Sequence, residues 1–150
     1  MEIREYTEER ISDVIAFEQQ LRREEDFWGW EIDDEYVETV RKSFHNPAFA
    51  ASLSCLAYLD DRVVGRIDAC LLYSRFDGSV KAYLDWICVL KSCRHLGVAQ
   101  ALMNELRAKL KEKGVATLVA LTASNEEAQR FYHNVPDSQM HDTGIWIDIR

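Results

Sequence analysis

Between residues 81 and 110 the chain changes its apolar period with no linker in between. KAYLDWICVL (81–90) is a run dominated by strand-forming residues. From Val98 onward, Val98, Leu102, Leu106 and Leu110 recur every four residues, which is the spacing of one helical face. Gly97 stands at the handover, inside CRHLGVAQALM (93–103). A helix start leaves about four backbone N–H groups without internal partners, and a residue lacking a side chain lets a ligand come close to them. The strand–glycine–helix junction is therefore a potential anion site.

Charge around the junction agrees with that reading. Residues 91–113 carry Lys91, Arg94, Arg107, Lys109, Lys111 and Lys113 against Glu105 and Glu112, although the whole chain has a net charge of −8. All of the acidic excess falls in residues 1–50, which hold 6 Lys and Arg against 14 Asp and Glu. The global balance disfavours nucleic acid, while a small anion is welcome beside the basic segment.

The elements on either side follow from period and punctuation. EIREYT (2–7) alternates like a short strand, a helix runs to about Arg22 on Ile11, Val14, Ile15 and Leu21, and a second helix fits 33–45 and ends before Asn46-Pro47. SLSCLAYL (52–59), VVGRIDACLLY (63–73) and VKAYLDWICVL (80–90) read as strands joined by tight turns at Asp60-Asp61 and Asp77-Gly78, an antiparallel meander. After the helix from Val98, closed by Gly114, VATLVAL (115–121) reads as a short buried strand. Ser124 to Glu127 has capping-box spacing ahead of a helix with Ala128, Phe131 and Tyr132 on one face, and GIWIDI (144–149) reads as a closing strand. The predicted order is β-α-α-β-β-β-α-β-α-β with no internal repeat, in one domain over 1–150. At 150 residues the chain can bury a core without disulfide or metal support.

The acidic, polar start MEIREYTEER and the lack of an 18-residue apolar run argue against export or membrane insertion, so the expected setting is cytoplasmic. Cys55, Cys70, Cys88 and Cys93 form no Cys-x-x-Cys pair and read as reduced packing residues. His95, His133 and His141 are not spaced as a metal set, and no metal is assigned.

Arg94-His95-Leu96-Gly97-Val98-Ala99 resembles the Gln/Arg-x-x-Gly-x-Gly/Ala acyl-CoA-binding signature of the GNAT N-acetyltransferase superfamily. Asn125, Ala128 and Phe131-Tyr132 downstream resemble that family's Asn-x-x-Ala-x-x-hydrophobic-Tyr helix, and the element order is similar over nearly the whole chain. One departure is the segment HNVPDSQMHD, where family members usually place a Gly and an aromatic residue. The resemblance implies a mixed α/β (α+β) fold with a mostly antiparallel central sheet flanked by helices, and acetyl-CoA as co-substrate. It is also compatible with a homodimer.

By resemblance, residues 94–99 and Asn125 hold the coenzyme. Arg94 adds a charge-assisted bond, Gly97 and Ala99 allow backbone approach, and His95 brushes the phosphates. Ile87 and Val89 offer backbone groups to the pantetheine arm. Tyr132 takes the general-acid position facing the CoA sulfur. Asp85, which alternates onto one strand face with Tyr83, could deprotonate the amine directly or through a water. A solvated structural carboxylate is an equal alternative for Asp85. EEDFWGWEIDDEYVE (24–38) holds eight acidic residues among aromatics, and Trp28, Trp30, Asp33 and Asp34 are candidates for binding a cationic acceptor. The expected function is acetyl transfer to a primary amine of a small, cationic molecule. The alternatives are a catalytically diverged CoA-binding sensor or interaction module, and a structural domain in which Gly97 only relaxes a turn.

Overall fold

The computed structural model describes residues 1–25, 31–141, 144–145 and 147–149. Strand β1 (Glu2–Glu5) leads through a short 3-10 turn into α1 (Ile11–Glu24), followed by α2 (Asp34–Ser43). The meander is β2 (Ser52–Leu59), β3 (Arg62–Tyr73) and β4 (Val80–Val89), and the chain continues as α3 (Val98–Glu112), β5 (Leu118–Ala120) and α4 (Glu126–His133). The strands form one five-stranded sheet in sequence order, antiparallel throughout except for the parallel β4–β5 pair. The turn between β2 and β3 holds Asp60 and Asp61 at φ 48° and 58°, the double left-handed geometry that matches strand twist in a two-residue hairpin.

Helices cover both faces of the sheet. Val98, Leu102, Leu106 and Leu110 are all buried, so the four-residue repeat is the face that α3 lays on the sheet. Removing Leu102 or Leu106 from water is worth about 1.5–3 kcal/mol each. Gly65 on β3 makes the approach close: a Cβ there would lie 2.8 Å from Val98 Cγ1 and 3.3 Å from the Cys88 carbonyl. The first turn of α3 is thereby pressed against the end of β4. On the opposite face α1 is held by charge as well as apolar packing. Buried Glu18 pairs with Arg22 at 2.7 Å and with Arg66 of β3 at 3.7 Å, and Arg66 bonds Asp68 at 2.6 Å. Each buried charge is thus compensated, as burial requires.

Two irregularities open the sheet. Asp68 pairs with Trp86 but Ala69 pairs with Leu84, so Asp85 is an extra residue in β4, a β-bulge. Simple alternation puts Ile87 and Val89 on the face of Tyr83 and Asp85. The bulge moves them instead opposite Ile67 and Gly65, onto the face that α3 covers. At the bulge β5 departs: its pairing with β4 covers only Ala82–Leu84, and among the described residues no strand pairs with 85–89 on that side.

The structure corrects three expectations. The strand expected over 115–121 is three residues long and half covered, with Val119 and Leu121 exposed, because β5 leaves β4 so early. The described residues of 144–149 form no strand. Ile145, Ile147 and Ile149 alternate as a strand would, yet all three are exposed, having no partner among the described residues. Finally, α4 is capped by Asn125, whose side chain accepts from the Ala128 N–H at 2.9 Å, and not by Ser124.

Candidate active site

The gap between β4 and β5 is the mouth of a cleft of about 1160 Å³. Its floor is the end of β4, including Ile87 and Val89, which pairs with β3 but with no described strand on the β5 side. The start of α3 closes one side through Arg94, His95, Gly97, Val98 and Ala99, and α4 closes the other through Asn125 and Tyr132. Two of the residues singled out on β4 and in the loop before α3 stand apart from it. The Leu96 side chain is 62% exposed, leaving its backbone N–H as the group it can offer, and Asp85 sits exposed at the bulge outside the cleft.

The loop into α3 is built to leave donors free. His95 and Gly97 adopt φ 61° and 79°, a left-handed pair of steps that turns the chain sharply into the helix. Among the described residues, no acceptor meets the backbone N–H groups of Leu96 to Gln100, and the first internal bond of α3 is Ala101 N–H to Gly97 O at 3.0 Å. A Cβ at Gly97 would meet nothing within 4 Å, so that backbone is open to a ligand. Free donors, the positive end of α3 and an open approach together fit the negatively charged diphosphate of a coenzyme.

Arg94 is not idle in this setting. Its Nη2 pairs with Glu25 at 2.5 Å and its Nη1 with Glu127 at 3.3 Å, while His95 Nε2 lies 3.6 Å from Glu127. Two residues before Arg94, Ser92 donates its N–H to Glu24 at 3.0 Å and its hydroxyl at 2.8 Å. Burial works to raise the Glu24 carboxyl, but the bonds from Gln20 and Ser92 outweigh it and hold the group below the usual range. Glu24 and Glu25, at the end of α1, therefore grip the loop that leads into α3.

Sequence reasoning missed this role, because these partners are 68 and 69 residues from the ones they hold. The only hint was two carboxylates at a helix C-terminus, where the helix dipole disfavours them.

Tyr132 projects from α4 with its ring edge-on to Phe131, centroids 5.2 Å apart. Burial, with a smaller push from Tyr83, raises its phenol above the ordinary value, so it holds its proton at neutral pH. Its hydroxyl has no hydrogen-bond partner among the described residues. Cys88 also lines the cleft, but burial pushes its thiol up to about 12. It is a packing thiol and not a thiolate nucleophile.

The acidic residues of 31–38 are less available than their number suggests. Asp33 caps α2, accepting from the Tyr36 N–H at 2.8 Å, and Glu38 pairs with Arg41 and Lys42. Glu31, Asp34 and Glu35 are exposed, and neither Asp33 nor Asp34 lines the cleft. Trp28 and Trp30 lie outside the described residues. Among the described residues, no group of three or more His, Cys, Asp or Glu side chains is placed to hold a metal ion, and no helix is long and apolar enough to cross a membrane.

Residues 2–135 match the model of the acetyltransferase (GNAT) family. No curated protein matches the chain significantly in sequence. Among solved structures, an aminoglycoside acetyltransferase from an uncultured soil metagenomic sample, in complex with sisomicin, superposes with a TM-score of 0.82. The two are 15% identical, over 99% of this chain and 96% of that one. AAC(6')-Iy in complex with a CoA-S-monomethyl-acetylneamine bisubstrate analogue gives 0.76 at 20% identity, covering 99% and 97%. A ribosomal-protein-alanine N-acetyltransferase from Brucella melitensis biovar Abortus 2308 gives 0.73 at 19% identity, covering 99% of each chain. At these identities the likeness is one of fold.

Proposed function

Because the chain belongs to the acetyltransferase (GNAT) family, we propose that it moves the acetyl group of acetyl-CoA directly to a primary amine of a small, cationic acceptor. The observation that carries this reading is the cleft itself. Among the described residues it has partnerless N–H groups at one end, a protonated Tyr132 on the facing wall, and between them a β4 edge with no strand on its β5 side.

The N–H groups of Leu96 to Gln100 and the positive end of α3 hold the diphosphate, with Arg94 beside them. The free backbone edge at Ile87 and Val89 orients the pantetheine arm and the acyl carbonyl. Bound acetyl-CoA supplies a thioester whose carbonyl carbon accepts the amine. As the nitrogen–carbon bond forms and the carbon–sulfur bond breaks, the Tyr132 hydroxyl gives its proton to the departing sulfur. The proton lost from the amine passes to water, and Asp85, exposed at the bulge, is the carboxylate assigned to receive it through that water. The high value of the Cys88 thiol supports transfer without an acyl-cysteine stage.

A cationic acceptor is supported by exposed Glu31, Asp34 and Glu35 and by the aminoglycosides named for several structural neighbours. A homodimer is supported by the exposed, alternating Ile145, Ile147 and Ile149, and a reducing, cytoplasmic setting by the four free cysteines. We read residues 1–150 as one such domain.

Thiol release from acetyl-CoA, measured against a panel of polyamines, aminoglycosides, amino acids and peptides, tests the reading. Release that requires a cationic amine is the expected result. Coenzyme binding with no release for any amine would make the chain a binding module instead.

A further inference from the structure

Arg94 carries two carboxylates of opposite character. Glu25 is anchored: its side chain is 9% exposed, its own N–H bonds Leu21 O at 3.0 Å, and its neighbour Glu24 is tied twice to Ser92. Glu127 is loose: its side chain is 45% exposed in the first turn of α4, and its contact with Arg94 is longer, at 3.3 Å. All three side chains line the cleft. As it stands, one guanidinium faces two negative charges, so the loop side chains oppose an incoming dianion even though the backbone N–H groups attract it. For the diphosphate to settle there, one carboxylate has to give way. The exposed, screened pair is the weak one, whereas breaking the buried pair would strand a charge.

We propose that Glu25 and Glu127 act on Arg94 in opposite senses. Glu25 is a positioning residue that fixes the guanidinium at the mouth of the cleft, and Glu127 is a stand-in anion that the diphosphate of the entering coenzyme displaces from Nη1. This inference rests on the coenzyme reading above and adds to it a latch: Glu127, held by Arg94 and His95, draws the start of α4 toward the coenzyme loop until the ligand replaces it. Binding then exchanges one anion for another at the same nitrogen, while Nη2 keeps its contact with Glu25.

Calorimetric titration of the full chain with CoA tests the proposal by sign. Glu127→Gln removes the competitor and should tighten binding, roughly two- to fivefold for the loss of an exposed pair. Glu25→Gln frees the guanidinium to wander and should weaken binding roughly tenfold or more, with Glu25→Asp restoring part of the loss. The Glu127→Gln gain should vanish in an Arg94→Gln background, since the two act through one contact. Repeating the titrations with 3′-dephospho-CoA separates the two anionic groups, because a diphosphate latch keeps the same sign without the 3′-phosphate. Thermal melts show whether Glu25→Gln has merely lost its fold, and exposed Glu127 provides a variant free of that risk. Unchanged or weaker CoA binding by Glu127→Gln would overturn the latch while leaving the coenzyme reading intact. Failure of the unaltered protein to bind CoA would remove both.

Discussion

Gly97 and Gly114 flank the same helix in nearly the same conformation, at φ 79° and 70°, and a Cβ added to either would meet nothing within 4 Å. The two alanine substitutions should therefore cost the same stability, about 1–2 kcal/mol for placing a side chain in the left-handed region. For a chain of this size that is roughly a 2–8 °C fall in Tm. Their effect on ligand binding should differ. Gly97 lines the cleft, and a methyl group there would take up space left open beside the unpartnered N–H groups of Leu96 to Gln100. A hydrogen bond to a charged group is worth about 1.5–3 kcal/mol, so losing one to the diphosphate predicts roughly 10- to 100-fold weaker acetyl-CoA binding. Gly114→Ala, at the far end of α3, should leave the affinity unchanged. Paired thermal melts and calorimetric titrations on the two variants decide the matter. Equal affinities for acetyl-CoA, with equal losses in Tm, would show that Gly97 serves only the turn.

Further outcomes concern chemistry and packing. Tyr132→Phe should lower kcat by about 10²- to 10⁴-fold and leave acetyl-CoA affinity nearly unchanged, as read by steady-state kinetics and calorimetry. Burial raises the Tyr132 phenol, which favours the protonated form, so the part of the rate that depends on it should persist through neutral pH. That part should fall only as pH rises past about 10, the ordinary phenol value. Cys88→Ala should keep kcat close to the parent value, and a collapse of turnover in a protein that still melts cooperatively would reopen acyl transfer through sulfur. Asp33→Ala should cost about 1 kcal/mol through loss of the α2 cap. If it instead changes KM for the amine with no change in Tm, Asp33 belongs to the acceptor site.

The parts of the fold that were legible in the sequence are those written in local period and punctuation. Val98, Leu102, Leu106 and Leu110 gave the buried face of α3, and the Asp60-Asp61 pair gave the hairpin between β2 and β3. Gly97 was legible for the same reason, since few residues adopt φ 79° without strain.

What escaped depends on partners that local pattern does not encode. The alternation in KAYLDWICVL runs smoothly through Asp85, and only the register against β3 reveals the bulge that moves Ile87 and Val89 to the other face. The grip of Glu24 and Glu25 on Ser92 and Arg94 joins elements nearly half the chain apart. The strand pattern at 145–149 is real in the sequence, but alternation states a preference and supplies no neighbour to pair with. Asn125 took the cap from Ser124 because its carbonyl reaches the Ala128 N–H, a choice between adjacent residues that spacing alone leaves open.

The central claim is that the open backbone ahead of α3 holds the coenzyme, and amide resonances report on it atom by atom. In a ¹⁵N-labelled sample titrated with CoA, the N–H signals of Leu96 to Gln100, free of internal acceptors, should move together as charged oxygens become their partners. Those of Lys111 to Gly114, at the other end of the helix, should stay in place. Saturable CoA binding that left Leu96 to Gln100 unmoved and shifted a different region would contradict the account.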